Sequence, residues 1–226
     1  MCRRFANALT TQAMRQHFGV TGPAPDWLPS WNVAPGQPAP VLCRVPSGSG
    51  ARLDLMLWGL VPHWARDMTR QAINARAETI ATSGMFRAAF RARRCLVPAT
   101  ACYLWPTGRT SRRLARCPWA LTTPDRQPMT LAAIWDNWEY QGDILHSFAI
   151  ITTESCDSVR PVQDRMPVLI APDDRREWLY ETPDNATRFL MPCDPDNVTL
   201  FPVGPAVNDP TRDGPHLLDP AQSIDK

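Results

Sequence analysis

Lysine is almost absent from this chain: Lys226 stands alone against 23 arginines in 226 residues. Such usage follows genome composition as readily as function, so only the clustering of the arginines carries information. Histidine is scarce too. The four at 17, 63, 146 and 216 share no metal-ligand spacing and no Cys-x-x-Cys pair accompanies them, which argues against zinc or any other metal. No cofactor is expected. The seven cysteines, at 2, 43, 95, 102, 117, 156 and 193, are odd in number and follow no apolar leader. They are expected as free thiols in a reducing cytoplasm, without a disulfide framework. No run reaches the ~18 apolar residues of a membrane helix, and no repeat or low-complexity boundary divides the chain. One domain over residues 1–226 is expected, with a polar tail from about 205 that is packed on it or partly mobile, and the lack of a long apolar stripe points to a monomer.

Acids are missing from one long stretch. Between Glu78 and Asp125 there is none, while eight arginines fall from Arg87 to Arg116. The net charge of +2 therefore conceals a balance of +12 over residues 1–117 and −10 over residues 118–226. If these arginines share a face, they attract anions, nucleic acid above all. A merely solvated basic surface is the plainer reading.

What is present reads as short alternating elements. Residues 9–18 suggest a helix with Thr10 or Thr11 as N-cap and Met14 and Phe18 on one face. Six prolines from Pro23 to Pro40, punctuated by Trp27, Trp31 and Asn32, predict an ordered loop. Residues 41–45 and 51–58 alternate at the strand period around Ser47-Gly48-Ser49-Gly50, predicting a hairpin, and a second aromatic loop runs from Trp58 to Trp64. Met85, Phe86, Ala89 and Phe90 predict an amphipathic helix over 81–93. A strand from Arg94 to Trp105, broken at Pro98, and a turn at Thr107-Gly108-Arg109 follow. Further strands are expected at 118–122, 129–135, 147–153 and 198–203, and a helix capped by Asp173 or Asp174 through Trp178-Leu179-Tyr180.

The N-terminal Met1-Cys2 carries chemistry of its own. A small second residue favours removal of the initiator methionine, which would leave Cys2 as a 1,2-aminothiol. A free α-amine and a thiol are both partly nucleophilic near neutral pH, and Arg3 and Arg4 add positive charge beside them. An aldehyde condenses with such an amine to an imine, and thiol closure then gives a thiazolidine.

Six segments in order carry a resemblance: Met1-Cys2-x-Arg4-Phe5, Trp31-Asn32-Val33-Ala34-Pro35-Gly36, Trp58-Gly59-Leu60-Val61-Pro62-x-Trp64, Asn74-Ala75-Arg76-Ala77-Glu78-Thr79, Arg94-Cys95-Leu96-Val97-Pro98-Ala99 through Trp105, and Asp164-Arg165-Met166-Pro167. Together they resemble the SRAP (SOS response-associated peptidase-like) family, which shields abasic sites in single-stranded DNA. The resemblance implies an α+β fold on a strongly curved, mainly antiparallel, barrel-like sheet with short flanking helices, and Cys2 at the floor of a basic groove. It also supplies the aldehyde, the ring-opened sugar of an abasic nucleotide. It implies that Asn74 positions the sugar or imine and that Arg4, Arg76 and Arg165 hold flanking phosphates, with Thr152 among the DNA contacts. Pro35 and Trp64 are implied as a wedge beside exposed bases. Competing readings are Trp64 packed in the core, and Asn74 and Arg76 in a satisfied polar network under the sheet.

Three positions depart from the family pattern. Arg3 stands where a Gly is usual, Leu104 where a Glu precedes the Trp, and Gln163 where a His precedes Asp164. Leu104 cannot move protons and Gln163 does not titrate near neutrality, so an adduct is expected to form slowly and reverse more slowly. Glu154 and His63 are candidate substitutes. Single-stranded DNA binding without chemistry is the alternative function. A thiol peptidase ranks below it, because the site His is the residue replaced.

Overall fold

The computed structural model describes residues 2–46, 48, 50–106 and 117–221. In chain order its elements are β1 (Arg4–Asn7), α1 (Thr11–Phe18), β2 (Ser30–Val33), β3 (Pro38–Arg44), β4 (Ala51–Trp58), β5 (Asn74–Arg76), α2 (Arg87–Ala92), β6 (Arg94–Ala99), β7 (Ala101–Leu104), β8 (Trp119–Thr122), β9 (Met129–Tyr140), β10 (Asp143–Glu154), β11 (Arg165–Pro167), β12 (Leu169–Ile170), α3 (Arg175–Tyr180), α4 (Pro183–Ala186) and β13 (Thr199–Pro202).

The strand-period alternation of residues 38–58 builds the expected antiparallel hairpin of β3 and β4. On its other edge β3 meets β6 only at Leu42↔Leu96 and Cys43↔Cys95. Pro38, Pro40 and Pro98 thus all lie within strands, at positions where that edge is unpaired and a missing N–H costs nothing. β6 continues onto β9, and β9 turns into β10 through Gln141 and Gly142, both at positive φ. β10 then runs parallel to β4 at Ser147↔Leu57 and Phe148↔Trp58. That pairing closes the path β10-β4-β3-β6-β9 back onto β10, a curved barrel that is mixed, with its other contacts antiparallel. β5 adds in parallel to β10, and β11 antiparallel to it.

A second sheet, ordered β13-β8-β7-β1-β2, packs on the barrel. Phe5, Cys102, Leu104 and Leu121 from this sheet share one core with Val41, Trp58, Leu131 and Phe148 from the barrel. The opposite barrel face, with Leu42, Leu96, Ile134 and Ile151, is covered by Met14, Phe90 and Trp178 on the short helices. Both faces of the barrel strands are therefore buried, and the fold is α+β.

Several boundaries differ from expectation. The proline-rich loop contains β2, because Ser30 and Val33 pair back onto Asn7 and Phe5 of β1 across a bulge. The strand expected from Arg94 breaks at Thr100 and not at Pro98; the Thr100 amide and hydroxyl both bond the Ala6 carbonyl, passing the chain from barrel to second sheet. α2 is shorter than residues 81–93, since the Ser83 hydroxyl takes the Met85 amide into a turn first. Thr10 is the N-cap of α1, whereas Asp174 stands at the start of α3 without a capping bond. Strands β9 and β10 run well past their expected ends as one long hairpin. Residues 206–221 follow the second sheet, with Val207 and Leu217 buried. The turn expected at 107–109 lies outside the described residues.

Candidate functional site

Cys2 enters just before β1 and is fully buried, in one cluster with Phe5, Trp58, Cys102 and Leu104. Its thiol donates to the Arg4 carbonyl at 3.6 Å. Cys102, on the neighbouring β7, bonds the Cys2 thiol. That bond first, and then burial, push the Cys102 thiol well above the ordinary cysteine range. The Cys2 carbonyl accepts from Asn74 Nδ2 at 2.8 Å, while Asn74 Oδ1 is buried without a partner among the described residues. A buried amide oxygen left unbonded costs about 1–3 kcal/mol and marks a place suited to a donor.

The parallel register of β5 on β10 sets Asn74 opposite Ile150 and Arg76 opposite Thr152, and β11 joins from the other side at Thr152↔Pro167. Asn74, Arg76, Thr152 and Arg165 therefore gather at one end of β10. Arg76 is exposed and makes no hydrogen bond or ion pair among the described residues. Thr152 is fully buried, and its carbonyl accepts from Arg165 Nη2 at 2.6 Å. Thr152 thus positions the Arg165 side chain. The Arg165 side chain, 20% exposed, also forks onto Glu78 with two bonds of 3.0 Å. Those bonds hold the Glu78 carboxyl below its ordinary range.

Arg4 has a different environment from the one expected. Its guanidinium donates to Asn32 Oδ1 at 2.9 Å and to the carbonyls of Val207 and Asn208 at 3.3 and 3.4 Å. Burial lowers its pKa, with Asp209 opposing. Asn32, itself buried, donates onward to the carbonyls of Asp209 and Arg212 at 2.9 and 2.8 Å. Arg4 and Asn32 therefore fasten the C-terminal segment across β1 and β2.

Pro35, in the loop between β2 and β3, and Trp64, in the loop that follows β4, are both exposed. The Gly36 amide, at φ +82, bonds the Trp58 carbonyl at 2.7 Å, and the second loop begins at Gly59. Trp58 itself is buried edge-on against Phe5 and donates Nε1 to the Ile73 carbonyl at 2.9 Å. Trp58 thereby connects, through its indole, the strand after Cys2 and the residue before Asn74, and through its backbone both exposed loops.

A family profile described as SOS response associated peptidase (SRAP) matches residues 1–210. The chain belongs to the SRAP family. Its SRAP relatives include the abasic site processing protein YoaM of Bacillus subtilis strain 168, 33% identical over 227 residues that cover 97% of this chain and 98% of that protein. The abasic site processing protein YedK of Escherichia coli K12 is 28% identical, covering 97% of this chain and all of its own length. A solved Bacteroides thetaiotaomicron structure superposes with a TM-score of 0.84 at 20% identity, covering 98% of this chain and 100% of that one, a likeness of fold.

Within this SRAP chain Leu104 is fully buried on the Cys2 side of β7. Gln163 is also buried and donates Nε2 to the Trp105 carbonyl at 2.9 Å. The arginine-rich stretch is less a surface than its spacing suggests. Arg94 is buried, donating to the Trp178, Phe90 and Glu181 carbonyls, and burial brings its pKa down to about 10. Arg93 pairs with the buried Asp136 at 3.0 Å. Arg87 and Arg91 are exposed, and the four from Arg109 to Arg116 lie outside the described residues. Among the described residues no three His, Cys, Asp or Glu side chains converge as a metal site. Sequence reasoning on this SRAP chain passed over Trp58, Asn32 and Asp136 as organisers. Trp58 and Asn32 lay inside quoted motifs, so position in a motif was the usable signal; Asp136, a lone acid between tryptophans, gave none.

Proposed function

We propose that this chain binds single-stranded DNA at abasic sites and, once Met1 is removed, captures the ring-opened sugar covalently through Cys2. The observation that carries the reading is the Asn74 carboxamide: its nitrogen grips the Cys2 carbonyl, and its buried oxygen is left for a donor such as the freed α-amine. The names of the relatives YoaM and YedK, abasic site processing proteins, support the same substrate class. In the reaction the amine adds to the sugar aldehyde and loses one water to give the imine. The Cys2 sulfur then bonds the imine carbon, and its proton passes to the nitrogen, closing the thiazolidine. Arg76 and Arg165 take phosphates beside the lesion, and Pro35 and Trp64 flank the neighbouring bases.

Leu104 and Gln163 offer no proton transfer, so each step runs without a positioned acid or base, at a cost of about 10²–10⁴ in rate for each one missing. The test is incubation with abasic single-stranded DNA and denaturing electrophoresis. A retarded band in wild type that Cys2→Ala abolishes is expected; no band, or the same band in both, overturns the proposal. A second reading, DNA binding without chemistry, is favoured by the burial of Leu104 in an apolar cluster. It predicts salt-sensitive binding that ignores the lesion and survives Cys2→Ser.

A further inference from the structure

The loop that carries Trp64 is held unusually firmly for an exposed segment. Val61 donates its amide to the buried Ser147 hydroxyl at 2.9 Å, and Trp138 Nε1 donates to the Ala65 carbonyl at 2.7 Å. Between these anchors sits His63. Its amide donates to Asp136 Oδ2 at 3.1 Å, and its ring Nδ1 lies 3.1 Å from the same oxygen. The Asp136 side chain is 2% exposed, whereas that of His63 is 50% exposed. A buried carboxylate thus fixes the tautomer, with the Nδ1 proton inward and Nε2 turned away from it. Nε2 has no partner among the described residues.

The charge count at this point is decisive. Arg93 sits 3.0 Å from the other Asp136 oxygen and balances it, so a proton on His63 is a net positive charge. Trp64 follows directly, 46% exposed. The other charges on the loop are Arg66, Asp67 and Arg70, and the Arg70 guanidinium lies 5.8 Å from the centre of the Trp64 ring. His146, one residue from Ser147 on β10, packs its ring against Trp135 and makes no contact with Asp136.

We propose that His63, oriented by Asp136, is a phosphate contact for single-stranded DNA that engages in its imidazolium form. This rests on the DNA-binding reading above and adds a subsite to it. Asp136 lies opposite Ser147 on the β9 side of β10 and Asn74 opposite Ile150 on the β5 side, three residues apart along β10 and two strand spacings across it, about 14 Å. The phosphate held by His63 therefore lies away from the lesion's own, on the side of the Trp64 loop.

The experiment is fluorescence anisotropy of the full chain with an undamaged single-stranded oligonucleotide, between about pH 8 and about pH 6, the interval in which imidazoles gain a proton, at two salt concentrations. Wild type is expected to bind several-fold tighter at the acid end, with a salt slope steeper by about 0.7 for one added phosphate contact. His63→Gln removes that rise while binding within about twofold of wild type at the alkaline end. Asp136→Asn, which removes the carboxylate that orients the ring, reduces the rise, whereas His63→Gln abolishes it. His146→Gln keeps the wild-type profile. A flat wild-type profile, or a rise retained in His63→Gln, overturns the inference even where DNA is bound. Absence of any DNA binding by wild type overturns this inference and the reading beneath it together.

Discussion

Asn74 holds the main chain at Cys2 with its amide nitrogen while its own amide oxygen is buried with no donor among the described residues. One carboxamide is thus half satisfied by the protein and half reserved. Asn74→Ala removes both halves, so folding stability changes little, whereas adduct formation slows about tenfold, the equivalent of one hydrogen bond of about 1.4 kcal/mol. Single-turnover rates with abasic DNA check this; an unchanged rate contradicts it.

Arg165, on β11, forks onto Glu78. The Glu78 carboxyl is depressed, chiefly by hydrogen bonds from Arg165, so its stabilisation is present above the unfolded carboxylate range and is lost as pH falls through the folded value. Glu78 is half exposed, which limits the effect to below ~1 kcal/mol. Thermal midpoints of wild type and Glu78→Gln are expected to differ slightly at neutral pH and to converge in acid. Arg165→Ala is expected to reduce the salt slope of DNA binding by about 0.7.

Three thiols make the fold alkali-sensitive. Cys102 is raised first by the bond to the Cys2 thiol and then by burial, Cys95 first by burial and then by Cys43. Cys193 is raised to about 12, first by burial and then by Cys156. Raised values mean stability that is full below the unfolded thiol range, near ~8.5, and is lost as pH rises towards the folded values. Denaturant midpoints are expected to fall between about pH 8.5 and about pH 10, by up to about 2 kcal/mol per thiol. The fall is shallower in Cys95→Ala and in Cys193→Ala; equal slopes would count against it.

Gln163 already bonds the Trp105 carbonyl, so Gln163→His introduces a titrating ring at little structural cost. Release of a preformed adduct is expected to speed by about 10²-fold, followed as loss of the retarded band over time. Leu104→Glu is the harsher change, since a carboxyl in that apolar cluster is driven neutral and lowers stability by several kcal/mol.

The barrel was readable where alternation is strict, as in β3 and β4. Other features depend on contacts distant in sequence. The break at Thr100 is set by Ala6, and the proline positions depend on where β3 stops pairing with β6. Arg4 is engaged by carbonyls about two hundred residues away. Arg93 and Arg94 read as surface charge in sequence because nothing local shows the buried Asp136 or the carbonyls that receive them.

The most direct measurement is the intact mass of the protein after incubation with an abasic single-stranded oligonucleotide. The account predicts a species equal to the chain without Met1 plus the oligonucleotide less one water, mapped to Cys2 and absent from Cys2→Ala. Protein that retains Met1, or an adduct that persists in Cys2→Ala, would contradict it.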